Sequence, residues 1–196
     1  MRIVVTAFMS LDGVTQAPGG PDEDTDGGFK HGGWSHPFFD PEVMGAFIGS
    51  NMDNADALLY GRRTYEGMAA AWPARAGDPY ADQMNAIKKY VVSSTLGEDQ
   101  LTWNNSELIP GGDAVARIRA LREQGGRDIV IWGSATLVRT LLAEGLVDEL
   151  QLMIEPVVLG GGKSIFPDDG TKQTLELISS QTAGTGVTIN IYRPAV

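Results

Sequence analysis

Two glycine-containing turns carry the strongest chemical signal in the chain. Leu59-Tyr60-Gly61-Arg62-Arg63-Thr64-Tyr65-Glu66 follows one short apolar run, and Ile131-Trp132-Gly133-Ser134-Ala135-Thr136 follows another. In each, a strand breaks at a glycine and a helical pattern begins. A helix start offers unpaired N–H groups and the positive end of the helix dipole, which together attract anions. Arg62 and Arg63 stand at the first start, where positive charge is unfavourable unless an anion neutralises it. Small residues at the second start let a pyrophosphate approach the backbone. Ser134 also has the side chain of an N-cap there. Neither turn is specific alone. Two in one chain, each after a buried strand, point to a ligand with two phosphate-bearing ends.

Other chemistries fail on residue type or spacing. There is no cysteine, so disulfides, thiolate catalysis and Cys-based metal sites are excluded, and His31 and His36 are too few for a His-rich metal site. No metal is expected. Gly184-Thr185-Gly186 is followed by Ile189 where a dinucleotide fingerprint needs its third glycine, and Gly162-Lys163-Ser164 lacks the glycine at position 157 that a P-loop needs. There is no serine elbow and no His-centred triad. The formal charge of −10 argues against nucleic acid, whose binding rests on Lys and Arg contacts to phosphate. It does not argue against a small phosphorylated ligand. No apolar run approaches the ~20 residues of a membrane helix. The start MRIVVTAFMSLDG reads as a strand rather than a signal peptide, so a cytoplasmic location is expected.

These turns need a scaffold, and the hydrophobic pattern supplies one. Strands are expected over Arg2–Met9, Ala57–Tyr60, Lys89–Ser93 and Asp128–Trp132. Helices are expected from Pro41 to about Asn54, from Arg62 to about Trp72, around Ala114–Leu121, and from Ser134 to Glu144. This alternation implies a mostly parallel sheet covered on both faces. After Val147 strands dominate: Glu149–Pro156, the region near Ile165, Thr174–Ser180 and Gly186–Arg193, expected as antiparallel additions at the sheet edge. With no repeat or linker, residues 1–196 are expected to form a single domain. The Ser10–Asp40 loop is long and holds Trp34, Phe38, Phe39 and both histidines. Loops of that length are commonly functional, and this one is expected to fold over a ligand.

At these residues the sequence resembles a known family. Ser10-Leu11-Asp12-Gly13, the Gly61–Glu66 turn, Gly133–Val138, Gly145-Leu146-Val147-Asp148-Glu149-Leu150 and Pro156–Phe166 resemble the C-terminal reductase domain of the bacterial riboflavin-biosynthesis deaminase/reductase. The resemblance also extends to stand-alone dihydrofolate reductase family proteins. It implies a three-layer α/β, dihydrofolate reductase-like fold, with a central mixed, mostly parallel sheet flanked by helices and NADPH across the carboxyl ends of its strands. It implies that the backbone of Ala7 meets the nicotinamide carboxamide and that Gly61 makes the tight turn. Arg62 would approach the adenosine 2′-phosphate, and Arg63 and Thr64 the phosphates. Ser93 and Ser94 would flank the adenosine ribose and its phosphate. Gly133, Ser134, Ala135, Thr136 and Leu137 would cradle the pyrophosphate beneath the nicotinamide, with a cis Gly133–Ser134 bond.

The substrate side departs from both relatives. The first long helix offers Glu42 and Asp53, neither matching the pterin-holding carboxylate, and no basic cluster marks a ribose phosphate. Asp12 is the expected catalytic residue and proton donor, with His31, Tyr65 or a water as alternatives. The expected activity is NADPH-dependent reduction of a small heterocyclic or carbonyl substrate, pterin- or pyrimidine-like, as in 5-amino-6-(5-phosphoribosylamino)uracil reduction. The expected partners are that substrate and a second copy in a homodimer. A non-catalytic NADP(H)-binding or sensing module and a purely structural dimerising domain are the alternatives. Closure of the 10–40 loop separates the first of these from an enzyme.

Overall fold

The computed structural model describes residues 1–195, so the expected single domain ends at a residue, Val196, outside those described. Eight strands form one sheet: β1 (Ile3–Ser10), β2 (Ala55–Gly61), β3 (Lys88–Ser93), β4 (Ser106–Pro110), β5 (Asp128–Trp132), β6 (Glu149–Glu155), β7 (Leu175–Thr182) and β8 (Thr188–Pro194). Their order is β4-β3-β2-β5-β1-β6-β8-β7. The first six are mutually parallel, β8 runs antiparallel to β6, and β7 runs antiparallel to β8. Apolar residues on both faces of β1, β2 and β5 reflect coverage by helices on both sides. Helices α1 (Val43–Asp53), α2 (Arg62–Ala71) and α3 (Pro79–Ala86) cover one face through Met44, Met52, Tyr65 and Met84. Helices α4 (Ala114–Glu123) and α5 (Ala135–Ala143) cover the other through Ile118, Leu121, Val138 and Leu141.

The structure differs from expectation at five places. Glu149–Glu155 is parallel, not antiparallel: α5 carries the chain from β5 over β1, and such a crossover returns a strand in the same direction. Ile165 is in no strand; it is fully buried from a loop. Helix α3 and strand β4 were not anticipated. Asp78 caps α3 through the N–H groups of Tyr80 and Ala81, and Pro79 opens it, but the helix spans only two turns. Strand β4 is a short edge strand ending in Pro110, with little periodicity to read. Helix α1 begins at Val43 rather than Pro41, where the Asp40 carboxylate accepts from the N–H groups of Glu42 and Val43.

The topology creates one crevice. β2 and β5 are neighbours, yet β2 leads into α2 on one face and β5 into α5 on the other. Adjacent parallel strands whose following helices diverge leave a gap at their carboxyl ends, where ligands of open α/β sheets bind. β5 stops at Trp132, opposite Thr6, while β1 continues to Ser10. The gap therefore opens between the Gly61 and Gly133 turns.

Tyr65, at the first turn of α2, is buried, and its Oη accepts the backbone N–H of Trp103 at 3.0 Å. Tyr65→Phe leaves the Trp103 N–H unpaired in the core and is expected to cost about 1–3 kcal/mol, read by urea denaturation.

Candidate functional site

The two turns are locked to each other. The Ser134 hydroxyl accepts the N–H of Gly61 at 2.9 Å, and the Ser134 N–H donates to Thr64 Oγ1 at 3.0 Å. Ser134 is therefore not the side-chain cap of α5, and neither α2 nor α5 has a side-chain cap. Both helix starts therefore leave first-turn N–H groups without a side-chain partner. The chain enters α5 through two left-handed residues, Gly133 (φ 63°) and Ser134 (φ 57°). A Cβ at Gly133 would lie 3.2 Å from Thr64 Cγ2, a contact Thr64 would have to yield to, in a left-handed conformation that favours glycine. No cis peptide occurs among the described residues, and the expected cis Gly133–Ser134 bond is trans. The paired left-handed residues make the sharp reversal instead.

The other expected ligand groups have partners of their own. Arg62 is half-exposed and pairs with Glu66 one turn on, at 3.1 Å. Arg63 pairs with Asp26 of the long loop. Ala7 lies one residue past the last β1–β5 pair and is buried. Ala135 and Thr136 open α5, and Leu137 turns into the core behind them. Ser93 ends β3, but its hydroxyl accepts the N–H groups of Thr95 and Leu96 and so shapes its own turn. Ser94 is exposed beside Gly111.

Asp12 has a task other than proton donation. Its carboxylate accepts from Ser10 Oγ at 2.6 Å, from the Leu159 N–H at 3.1 Å and from the Gly160 N–H at 2.8 Å. The Ser10 hydroxyl first, then these amides, hold its pKa down to about 2. An ionised clamp has no proton to give at neutral pH. Asp12 ties β1 to the glycine-rich 157–166 loop. Gln16 does the same from inside: its Oε1 accepts the Lys163 N–H, and its Nε2 donates to the backbone oxygens of Asp24 and Asp26. The Trp34 indole donates to the Gln16 carbonyl at 2.7 Å. Gly162 is forced to be glycine, because a Cβ there would lie 2.6 Å from Val14. Lys163 Nζ reaches Asp24 and Asp26. The two loops and Arg139 of α5 enclose a cleft of about 750 Å3, and His31 lies at its rim. Phe38 packs on the core beneath α1–α3 and pins the loop there, Trp34 is buried and bonded to the loop's own Gln16, and Phe39 faces solvent.

Reading by residue type missed Glu155. It ends β6 fully buried, in register with Ser10 of β1. Its Oε1 accepts from Ser35 Oγ at 2.6 Å, and its Oε2 has no partner. Burial pushes its pKa up to about 7, against the Ser35 hydrogen bond. A glutamate closing the apolar run Leu152-Met153-Ile154 was the available signal. Glu42 and Asp53, by contrast, stand on the exposed side of α1.

The raised pKa has a stability consequence of defined sign. Below about pH 4.5 the folded and unfolded chains both carry the proton, and the group is neutral to stability. As pH rises from there to about 7 the unfolded chain ionises first, so stability falls, and above 7 the penalty is constant. Glu155→Gln removes this penalty. Chemical denaturation is expected to find the variant gaining about 3 kcal/mol on wild type between about pH 5 and about pH 8; a difference independent of pH contradicts it.

Comparison with known proteins follows the same outline. The chain is 29% identical over 196 residues to YyaP of Bacillus subtilis (strain 168), covering 97% of this chain and 94% of that protein. It is 25% identical over 116 residues, 57% of this chain and 48% of the relative, to the 2,5-diamino-6-ribosylamino-4(3H)-pyrimidinone 5′-phosphate reductase of Archaeoglobus fulgidus. Among solved structures it superposes on dihydrofolate reductase from Enterococcus faecalis, complexed with NADP(H) and RAB-propyl. That match has a TM-score of 0.62 at 15% identity and covers 100% of this chain and 97% of that one, which establishes the dihydrofolate reductase-like fold. The model of the RibD C-terminal domain matches residues 1–189, and the chain belongs to that family.

Proposed function

We propose that the protein is an NADPH-dependent reductase acting on a small heterocycle of the pyrimidinone or pterin kind. The observation that carries this reading is the pair of uncapped helix starts, held together by Ser134, on the two sides of one crevice. An elongated ligand with two separate anionic groups suits such a pair: the α2 start receives the phosphate-bearing end, and the α5 start receives the pyrophosphate. Gly133, where a side chain would crowd Thr64, keeps the two turns close. NADPH supplies the hydride when bound. The chain's own residues bind it, orient it and exclude water.

Arg62 is assigned the 2′-phosphate, exchanging Glu66 for it. Arg63, Thr64, Ala135 and Thr136 are assigned the phosphates. Ser94 is assigned the ribose, with Ser93 shaping the turn that presents it, and Ala7 and Leu137 the nicotinamide. The reductase of Archaeoglobus fulgidus, whose substrate is a pyrimidinone ribose phosphate, supports the substrate class. The 11–42 loop, laced to the 157–166 loop through Gln16 and Asp12, is assigned the cover over the reacting ring. At the far edge β7 exposes Leu177 (52%) and Ile178 (42%) beside unpaired strand backbone, the surface we assign to the homodimer.

Calorimetric titration with NADPH and NADH side by side tests the reading. Micromolar NADPH binding with much weaker NADH is expected, and no binding of either overturns it. Arg62→Ala is expected to weaken NADPH by about 1.5–3 kcal/mol and NADH little. Equal losses for both remove Arg62 from the 2′-phosphate. Asp26 competes for Arg63 in the free protein. Asp26→Asn is therefore expected to tighten NADPH several-fold at low salt, with the gain shrinking as salt screens the pair.

A further inference from the structure

The sheet face under α1 holds buried polar atoms with nothing to bond. Among the described residues, four buried side-chain atoms lack partners: Tyr60 Oη, Trp132 Nε1, Arg139 Nε and Glu155 Oε2. Three of the four belong to one face. Tyr60 and Trp132 pack in the core beneath α1–α3. Glu155 follows Met153 of that core by two residues on β6, so strand alternation directs it the same way. Phe8 lies between: its ring centroid is 6.1 Å from that of Trp132, and it precedes by two residues Ser10, the register partner of Glu155.

Deeper on the same face the polar groups are paired. Thr6 Oγ1 and Asn51 Nδ2 both donate to Gln151 Oε1, at 2.8 and 2.6 Å, and Gln151 Nε2 donates to Glu149 Oε1 at 2.8 Å. Satisfaction therefore fails toward the carboxyl edge, where the crevice opens. An orphaned buried polar atom costs about 1–3 kcal/mol, and a group that a ligand completes is its simplest explanation.

We propose that Glu155 is the proton donor to the reduced substrate, whose ring lies on the α1 side of the crevice with Trp132 Nε1 donating a hydrogen bond to it. The proposal rests on the reductase reading above. Asp12, the expected proton donor, is an ionised clamp; of the alternatives, Tyr65 is buried against Trp103 and His31 stands exposed on the long loop. Glu155 is fully buried and holds its proton near neutrality. Ser35 donates to Oε1, which leaves the acid proton on Oε2, the unpartnered oxygen. The charged neighbours are otherwise engaged or exposed: Asp12 through Ser10 on β1, Asp40 on the Gly184 N–H, and His36 on the surface beside Ser35.

The chemistry balances with a C=N or C=O acceptor. Its carbon gains the hydride that NADPH gives up in becoming NADP+. The π pair moves to the heteroatom, which takes the Glu155 proton. Glu155 is left as a carboxylate and regains a proton from water when Ser35 and its loop move off.

The test uses NADPH with 5-amino-6-(5-phosphoribosylamino)uracil, its 2,5-diaminopyrimidinone counterpart and 7,8-dihydrofolate. On whichever is turned over, Glu155→Gln is expected to lower kcat about 100-fold with KM and NADPH affinity within about threefold. The limb of the wild-type pH profile near 7 should vanish, and Glu155→Asp should restore part of the rate. Independently of turnover, the infrared difference between wild type and Glu155→Gln should show a protonated-carboxyl band at about pH 6 that fades by about pH 8. An active wild type whose Glu155→Gln variant keeps its rate and pH profile overturns the role of Glu155 alone, as does absence of the band. A wild type that binds NADPH yet reduces none of the three overturns the reductase reading, and this proposal with it.

Discussion

The exchange of hydrogen bonds between Ser134 and the Gly61–Thr64 turn is the constraint on which the site depends. It joins the starts of two helices that leave the sheet on opposite faces. Without it the crevice would be two unrelated turns; with it, two positive helix ends face a common space at a fixed separation. The lock also explains the left-handed conformation of Ser134. Such a conformation in a residue with a side chain costs of order 1 kcal/mol. It is held because Ser134 uses both its N–H and its hydroxyl across the gap.

A second lacing surrounds the first. Asp12 and Gln16 hold the 11–42 loop against the glycine-rich 157–166 loop through its backbone N–H groups, and Trp34 braces Gln16 from within the 11–42 loop. Charge pairs add to this: Lys163 joins the two loops through Asp24 and Asp26, and Arg63 of α2 pairs with Asp26. These pairs are exposed enough for water and salt to weaken them. The body of the cover is therefore firm, and its charged edge can exchange an internal carboxylate for an arriving phosphate. Near the far end of the cover, Ser35 reaches Glu155.

Local patterns made much of this legible. β5 runs from Asp128 to Trp132 as its unbroken apolar run suggests, and α5 follows the Leu137, Val138, Leu141, Leu142 spacing. Both turns stood out because a glycine after a buried strand is a local event. What depends on tertiary context was not legible. The direction of β6 is set by the α5 crossover, not by its own residues. The clamp role of Asp12 depends on amides about 147 positions away, close enough in space to bond it. Ile165 is core without being in an element. Glu155 looks like any strand-ending glutamate until its burial and its single partner are known.

The central claim is that one ligand spans both locked turns. Amide hydrogen exchange with and without saturating NADPH tests it most directly. The account predicts slowed exchange in two separate stretches, Arg62–Tyr65 and Ala135–Leu137, rising together with occupancy. The distal parts of β7 should stay unchanged. NADPH that binds while protecting neither stretch, or only one, would contradict the account.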